Sequence, residues 1–234
     1  MEVLQAPVSL CVMASLVALH VYMRRRGVAF EDVGISYFKV VGQGQVWRAF
    51  TAALSHLDLF HLLFNVVALY GLASAEPRLG SLLFFENTVL LLVLSSAISL
   101  GMTHVMVYHL GMAQAEYTFA VGYSGVIFGW MTVISQLNPE YTLALPGGLQ
   151  LPINLAPFGS LLITQMLVRR ASFVGHFSGI LAGFMVAMGV FTWLTPYWFY
   201  TSLSYGVLGL VANVKATTSV AIPCLDTPSY VQCV

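Results

Sequence analysis

Long apolar stretches with almost no charged side chains recur along the whole chain and limit what it can fold into. Only 8% of its 234 residues are charged, whereas a soluble domain has about 25%, so the chain cannot keep a water-covered surface. Six stretches approach the roughly 17–25 residues that a helix needs to cross a bilayer. They cover about 7–23, 57–75, 82–102, 120–136, 153–168 and 173–193. The sequence predicts an all-α polytopic membrane protein with a six-helix core in residues 1–193.

The segments outside these stretches have different characters. Residues 27–53 mix charged and aromatic side chains, which is typical of the membrane–water interface, so we expect a membrane-surface loop after the first helix. Residues 76–80 read as a charged turn and residues 104–117 as a loop with two histidines. Residues 194–215 are either a seventh membrane helix or an interfacial helix. A short tail over residues 216–234 completes the chain.

Charge and motif content argue against several other kinds of protein. The formal net charge is zero and the longest basic tract is residues 24–26, so no nucleic-acid partner is expected. The chain has no His-Glu-x-x-His motif, and we expect neither a metal nor a cofactor. No aspartate lies in the middle of a span, which excludes an aspartyl intramembrane protease. Cys224 and Cys233 either pair or remain reduced.

A serine and a histidine each lie among glycines near the start of an apolar stretch. Ser124 follows Gly122-Tyr123 and precedes Gly125, and His176 follows Gly175. A serine nucleophile needs a base, and desolvated imidazole favours the neutral form that a base requires. Each residue alone also fits ordinary helix packing. Because no aspartate is suitably placed, the pair predicts a Ser-His dyad rather than a triad.

Glycines spaced four residues apart lie on both of these predicted helices. Gly125 and Gly129 share one face, as do Gly179 and Gly183. Small residues at this spacing let two membrane helices approach closely. We therefore expect these two faces to meet and to bring the serine and the histidine within hydrogen-bonding distance.

A second pair of polar residues lies in the second predicted span. His61 and Asn65 are four apart and so share a helix face. Two stacked donors suit an oxyanion hole, and polar packing contacts would explain them equally well.

These motifs, in this order, resemble those of the rhomboid intramembrane serine proteases, from about residue 47 to residue 183. The stretches 122–132 and 171–184 are similar to plant-type rhomboid-like proteins. The motifs are Trp47-Arg48, His56-x4-His61-x3-Asn65, Glu76-x-Arg78-x-Gly80-Ser81, Gly122-Tyr123-Ser124-Gly125 and Gly175-His176-x2-Gly179-x3-Gly183.

The resemblance implies a rhomboid six-helix core with Ser124 as nucleophile and His176 as base. It implies that His61, Asn65 and the backbone N–H of Ser124 hold the oxyanion, and that Phe128 packs on the base. Supporting roles fall to His56, Gly122, Gly125, Gly179, Gly183, Trp47 and Arg48. The implied substrates are transmembrane proteins in the lipid bilayer. Two alternatives stay open: a catalytically silent rhomboid-like protein that binds membrane clients, and a small transporter with a histidine proton path.

Basic residues predict an orientation that differs from the family's. We call the opening of the predicted active site toward one side of the membrane the mouth. The side of the mouth has Arg24, Arg25, Arg26, Lys39, Arg48, Arg169 and Arg170. The other side has Arg78, and the side of Lys215 depends on whether there is a seventh span. This bias favours a cytoplasmic mouth, whereas the family topology implies a luminal or external one. We keep the family topology, and with it an endomembrane location (ER or Golgi) over an organelle inner membrane.

Overall fold

The computed structural model describes residues 5–56, 58–137, 139–144, 150–168 and 171–220. Within them lie ten α-helices and one short antiparallel hairpin, β1 (Thr142–Ala144) and β2 (Gln150–Pro152). The helices are α1 (Pro7–Arg26), α2 (Phe30–Val33), α3 (Arg48–Leu54), α4 (Leu59–Leu72), α5 (Ala75–Leu79), α6 (Ser81–Tyr108), α7 (Ser124–Leu137), α8 (Ala156–Leu167), α9 (Phe173–Ala187) and α10 (Pro196–Thr217). The predicted all-α membrane fold is confirmed.

Three helices of the described residues are long and apolar enough to cross a membrane by themselves. They are α1, α4 together with α5, and α6. The helices α7, α8 and α9 are apolar but shorter, with 14, 12 and 15 residues. Helix α10 has 22 residues and therefore the length, but not the hydropathy.

The first helix is anchored at its start by a buried carboxylate. Glu76 accepts hydrogen bonds from the N–H groups of Val8 and Ser9, both at 2.9 Å, and from the hydroxyl of Ser81 at 2.7 Å. The first N–H groups of a helix have no partner inside it, so this carboxylate satisfies them. The predicted charged turn is therefore wrong: residues 75–79 form α5, and Glu76 is fully buried.

Helices α7 and α9 run parallel in close contact, and the glycines face each other. A Cβ atom built on Gly179 would lie 2.1 Å from the carbonyl oxygen of Gly125, and one on Gly183 would lie 2.5 Å from that of Gly129. The helix axes can approach this closely because no side chain intervenes. The expected meeting of the two glycine faces is confirmed.

Several predicted boundaries are wrong, each for a local reason. Helix α7 begins at Ser124 rather than at residue 120, because Ala120 pairs with Ile35 in an isolated bridge. Helix α6 continues to Tyr108, so His104 is helical rather than in a loop. Helix α9 ends at Ala187 rather than at residue 193, and Gly189 follows with φ of 72°.

Residues 27–54 form a compact segment of short helices rather than an irregular loop. It contains α2, a π-helical turn over Phe38–Gly42, and α3. None of these elements has the length to cross a bilayer. Its position on the membrane surface stays a prediction.

The last described helix, α10, extends past most of the depth of the core. Near its start, the ring of Phe199 contacts that of Phe85, close to the beginning of α6. Near its end, Asn213 contacts Gly44. Gly44 belongs to residues 43–47, which we call the surface turn. Cys224 and Cys233, whose state the sequence left open, lie outside the described residues, as do Arg169, Arg170 and the tail beyond residue 220.

Candidate active site

Ser124 and His176 meet at the starts of the two parallel helices. Ser124 is the first residue of α7, and His176 lies in the first turn of α9. The Oγ atom of Ser124 and the Nε2 atom of His176 are 2.8 Å apart. The start of α9 is itself capped, because the hydroxyl of Ser172 accepts the N–H of Gly175 at 3.1 Å. The two side chains therefore lie at one depth and within hydrogen-bonding distance.

The imidazole of His176 is buried and held on one face by an aromatic ring. Phe128 stacks on it with ring centroids 4.6 Å apart and planes inclined by 24°. Phe128 is one turn after Ser124, so the helix that presents the serine also packs against the histidine. In the described part of the chain, no side chain or carbonyl is hydrogen-bonded to the buried Nδ1 atom of His176. The arrangement is a serine–histidine pair, which we call the dyad from its geometry alone.

Residues 120–123, which we call the serine loop, are fixed mainly through their backbone. Ile35 and Ala120 exchange two backbone hydrogen bonds, at 3.0 and 2.9 Å. The N–H of Gly122 donates to the carbonyl of Ala52 at 2.9 Å. The N–H of Tyr123 donates to the Nε2 atom of His56 at 3.3 Å. These contacts set the path of the chain immediately before Ser124.

Gly122 has a conformation and a neighbour that both exclude a side chain. Its φ is 119°, and a Cβ atom there would lie 2.5 Å from Cε1 of His61. The imidazole of His61 therefore packs directly on the backbone of the serine loop.

The two predicted oxyanion donors occupy different positions. His61 lines the cavity that contains Ser124 and His176. Asn65 is buried, its amide donates to the carbonyl of His61 at 2.8 Å, and it is not part of the cavity wall. The structure thus brings His61, but not Asn65, to the site.

The cavity around the dyad has a volume of about 730 Å³. Its walls include parts of α3 and α6, the serine loop, the end of α8 and the start of α9. Ala52, Ser96 and Met166 are among the lining residues. This volume lies within the range of about 300–1,000 Å³ that is typical of ligand-binding cavities. Among the described residues, no group of histidine, cysteine and acidic side chains could bind a metal.

Trp47 and Arg48 stabilise residues 27–54, and part of this segment lines the cavity. The guanidinium of Arg48 is buried and donates to the carbonyls of Glu31 and Gly34, both at 2.8 Å. It also lies 4.7 Å from the centre of the Trp47 ring. Burial lowers the pKa of Arg48 from its ordinary value, and nearby Asp32 opposes this shift. Both residues are structural and do not face the dyad.

One residue near the site was missed by sequence reasoning. His20 of α1 is buried, and its Nδ1 atom is hydrogen-bonded to the carbonyl of His56. His56 in turn lies beside His61, with ring centroids 4.9 Å apart. A polar residue in an otherwise apolar span was the available signal.

The fold and the site together define a polytopic membrane protein with a serine–histidine pair at the starts of two tightly packed parallel helices. The chain belongs to the rhomboid family: the family model described as Rhomboid domain matches residues 43–193. Ser124, His176, His61, Asn65 and Phe128 all lie within that match, whereas His20, Ile35 and the two backbone carbonyls that accept hydrogen bonds from Arg48 precede it.

Curated relatives include plant and fungal proteins. The chain is 30% identical to Rhomboid-like protein 15 of Arabidopsis thaliana over 175 residues, 71% of this chain and 42% of the relative. It is 31% identical to Rhomboid-like protein 14, mitochondrial, of the same species, over 58% of this chain and 41% of the relative. It is 26% identical to Rhomboid-type serine protease 2 of Debaryomyces hansenii, over 61% and 50%. The chain thus spans half the length of these relatives or less.

Proposed function

We propose that this protein is an intramembrane serine endopeptidase that cleaves transmembrane segments of other membrane proteins. The 2.8 Å contact between Ser124 Oγ and His176 Nε2 is the observation that carries the proposal. Its support is the surrounding cavity and the membership of a family in which one relative is named a serine protease.

In the proposed reaction, His176 acts first as a base and then as an acid. Its Nε2 atom takes the proton of Ser124 as Oγ attacks the peptide carbonyl, and the same proton then passes to the leaving amine. An acyl-enzyme on Ser124 results, and water hydrolyses it by the reverse proton path. Nε2 must be unprotonated at the start, so Nδ1 holds the hydrogen of the neutral ring.

The oxyanion of this reaction would be stabilised by the start of α7 and by His61. The N–H of Ser124 is among the first of its helix, which have no intrahelical acceptor, and the helix dipole favours negative charge there. His61 lines the same cavity and can donate from its ring. Asn65 uses one of its two N–H donors on the His61 carbonyl and is not part of the cavity wall, so its role is secondary to that of His61.

We infer the substrate class from the membrane setting and the location from the family topology. A cavity enclosed by apolar helices admits a segment that itself resides in the bilayer. We place the protein in an endomembrane, as the family topology implies. One relative is named mitochondrial, so fractionation against ER, Golgi and mitochondrial markers is the test, and enrichment with mitochondria would refute this location.

Labelling with a fluorophosphonate probe tests the proposed function directly. The detergent-solubilised protein should label, and Ser124→Ala should not, because the probe reacts with an activated serine. Ser96→Ala is the matched control, since Ser96 lines the same cavity and should leave labelling intact.

Labelling that persists in Ser124→Ala would mean that another residue is the nucleophile. A folded protein that never labels would favour the client-binding alternative.

A further inference from the structure

Helix α10 contacts the surface turn through two side chains that are one helical turn apart. The Nδ2 atom of Asn213 donates to the carbonyl of Gly44 at 2.8 Å, and its Oδ1 atom accepts the N–H of Trp47 at 3.4 Å. The Oγ1 atom of Thr217 accepts the indole N–H of Trp47 at 3.1 Å. The side-chain amide of Asn213 thus binds a backbone acceptor through its NH2 group and a backbone donor through its oxygen.

The surface turn continues directly into α3, and α3 contacts the serine loop through a backbone hydrogen bond. The carbonyl of Trp47 accepts the N–H groups of Phe50 and Thr51 as α3 begins. Later in the same helix, the carbonyl of Ala52 accepts the N–H of Gly122. Because α3 has only seven residues, a shift at its Trp47 end also moves the acceptor of this serine-loop amide.

The other end of α10 is fixed against the core. Phe199 is buried, and its ring meets that of Phe85 edge-on at 6.4 Å. About 21 Å of helix separates Phe199 from Asn213, at 1.5 Å per residue. Helix α10 therefore links the beginning of α6 to the surface turn on the side of the dyad.

We propose that α10 positions the active site, with Asn213 and Thr217 holding the surface turn so that α3 keeps Ser124 within reach of His176. The proposal rests on the proposed function. A helix that only covered the apolar core would not need these polar contacts, since polar groups in membrane helices are costly unless they are bonded. Asn213 and Thr217 are positioning residues that act through Trp47 and Gly44.

Two adjacent threonines provide a matched test. The hydroxyls of Thr217 and Thr218 both donate to carbonyls one turn earlier, at 2.7 and 2.6 Å. Each also accepts one N–H, which comes from the Trp47 indole for Thr217 and from the backbone of Val220 for Thr218, so only Thr217 reaches the surface turn. Thr217→Val should slow fluorophosphonate labelling of Ser124 about two- to tenfold, as expected for one lost hydrogen bond. Thr218→Val should label at the wild-type rate. Equal rates in the two variants would overturn the proposal.

A double-mutant cycle separates positioning from a merely structural role. Trp47→Phe removes the indole N–H, so Thr217→Val should have no further effect on labelling in that background. If Thr217→Val slows labelling by the same factor in both backgrounds, Thr217 does not act through Trp47.

Hydrogen exchange gives a readout that does not depend on catalysis. In Asn213→Leu, amides of residues 43–54 and 118–123 should exchange faster than in wild type, and labelling should slow. Unchanged exchange would refute the contact, and faster exchange with unchanged labelling would refute the positioning role. If wild type never labels, the proposed function fails, and exchange alone decides whether α10 holds the turn.

Discussion

At the scale of single residues, the position of Ser124 depends on the backbone that precedes it. The amides of Gly122 and Tyr123 are bound by the Ala52 carbonyl and the His56 ring. A substitution that displaces the serine loop therefore moves the hydroxyl away from His176 without altering its chemistry. Displacements of about 1 Å can lower a rate about 10²-fold.

Gly122 offers the sharpest test of this dependence. Gly122→Ala should lower fluorophosphonate labelling about 10²-fold, because a Cβ atom would lie 2.5 Å from Cε1 of His61. Gly111 is the control, since it also has positive φ, 70°, with open space around it. Both variants introduce backbone strain of about 1–3 kcal/mol. Only Gly122→Ala should lose labelling, and equal labelling in the two variants would disprove the contact.

His61 and Asn65 should differ in their importance for turnover. His61→Ala should lower kcat by about 10²–10³, as for one lost oxyanion donor, because His61 lines the cavity. Asn65→Ala should have the smaller effect, since Asn65 is buried and is not part of the cavity wall. Steady-state cleavage of a transmembrane peptide measures both. A larger loss of kcat in Asn65→Ala would show that the amide itself faces the oxyanion.

The meeting of Ser124 with His176 could be predicted from sequence, but the backbone contacts that hold the serine loop could not. Ser124 and His176 stand out because each polar side chain lies among glycines in an apolar stretch. The acceptor of the Gly122 amide is the carbonyl of Ala52, and a backbone group leaves no signal in the sequence. His20 resembles any lone histidine in an apolar span, so its bond to the His56 carbonyl was also missed.

At the scale of elements, the sequence predicted which helices pack together, but it did not predict where the helices end. The four-residue glycine spacing predicted the contact of α7 with α9 correctly, because small residues have one strong consequence in a membrane helix. Hydropathy gave wrong ends for α6, α7 and α9, since these ends depend on tertiary partners. The start of α7 follows the Ile35–Ala120 bridge, and the last turn of α6 includes His104, which is bonded to the hydroxyl of Tyr37.

The α7–α9 contact should tolerate no added methyl group at Gly179. A Cβ atom there would meet the backbone oxygen of Gly125 at 2.1 Å, which no rotamer change can relieve. Gly179→Ala should lower stability by about 1–3 kcal/mol or more and abolish labelling. Gly206→Ala is the control in open space on α10, where alanine is neutral or stabilising by up to about 1 kcal/mol. Thermal unfolding and labelling of both variants are the measurements, and a fully active, stable Gly179→Ala would contradict the structure.

At the scale of the whole molecule, α10 determines on which side Lys215 lies. The end of α10 contacts the surface turn, so Lys215 lies on the side of the dyad with residues 24–26, Lys39 and Arg48. Arg78 lies on the opposite side, with the start of α1. If α10 crosses the bilayer, the charge bias toward a cytoplasmic mouth becomes larger than the sequence alone indicated.

Cysteine labelling from each side of a sealed vesicle tests whether α10 crosses. With Cys11, Cys224 and Cys233 replaced by serine, Glu31→Cys and Ala216→Cys should react from the same side. Arg78→Cys should react from the other. Reaction of Ala216→Cys from the side of Arg78→Cys would mean that α10 does not end beside the surface turn.

The contact of α10 with the surface turn has a consequence for the timing of synthesis. Helix α10 follows α9 in the chain, so the ribosome completes Ser124 and His176 before Asn213 and Thr217 exist. If the proposed function holds, the protein would then stay weakly active among other nascent membrane proteins until α10 enters the bilayer. A chain stopped after Leu194 should insert and yet label with the fluorophosphonate probe more slowly than the full chain. An equal labelling rate would show that Ser124 becomes reactive before α10 is made.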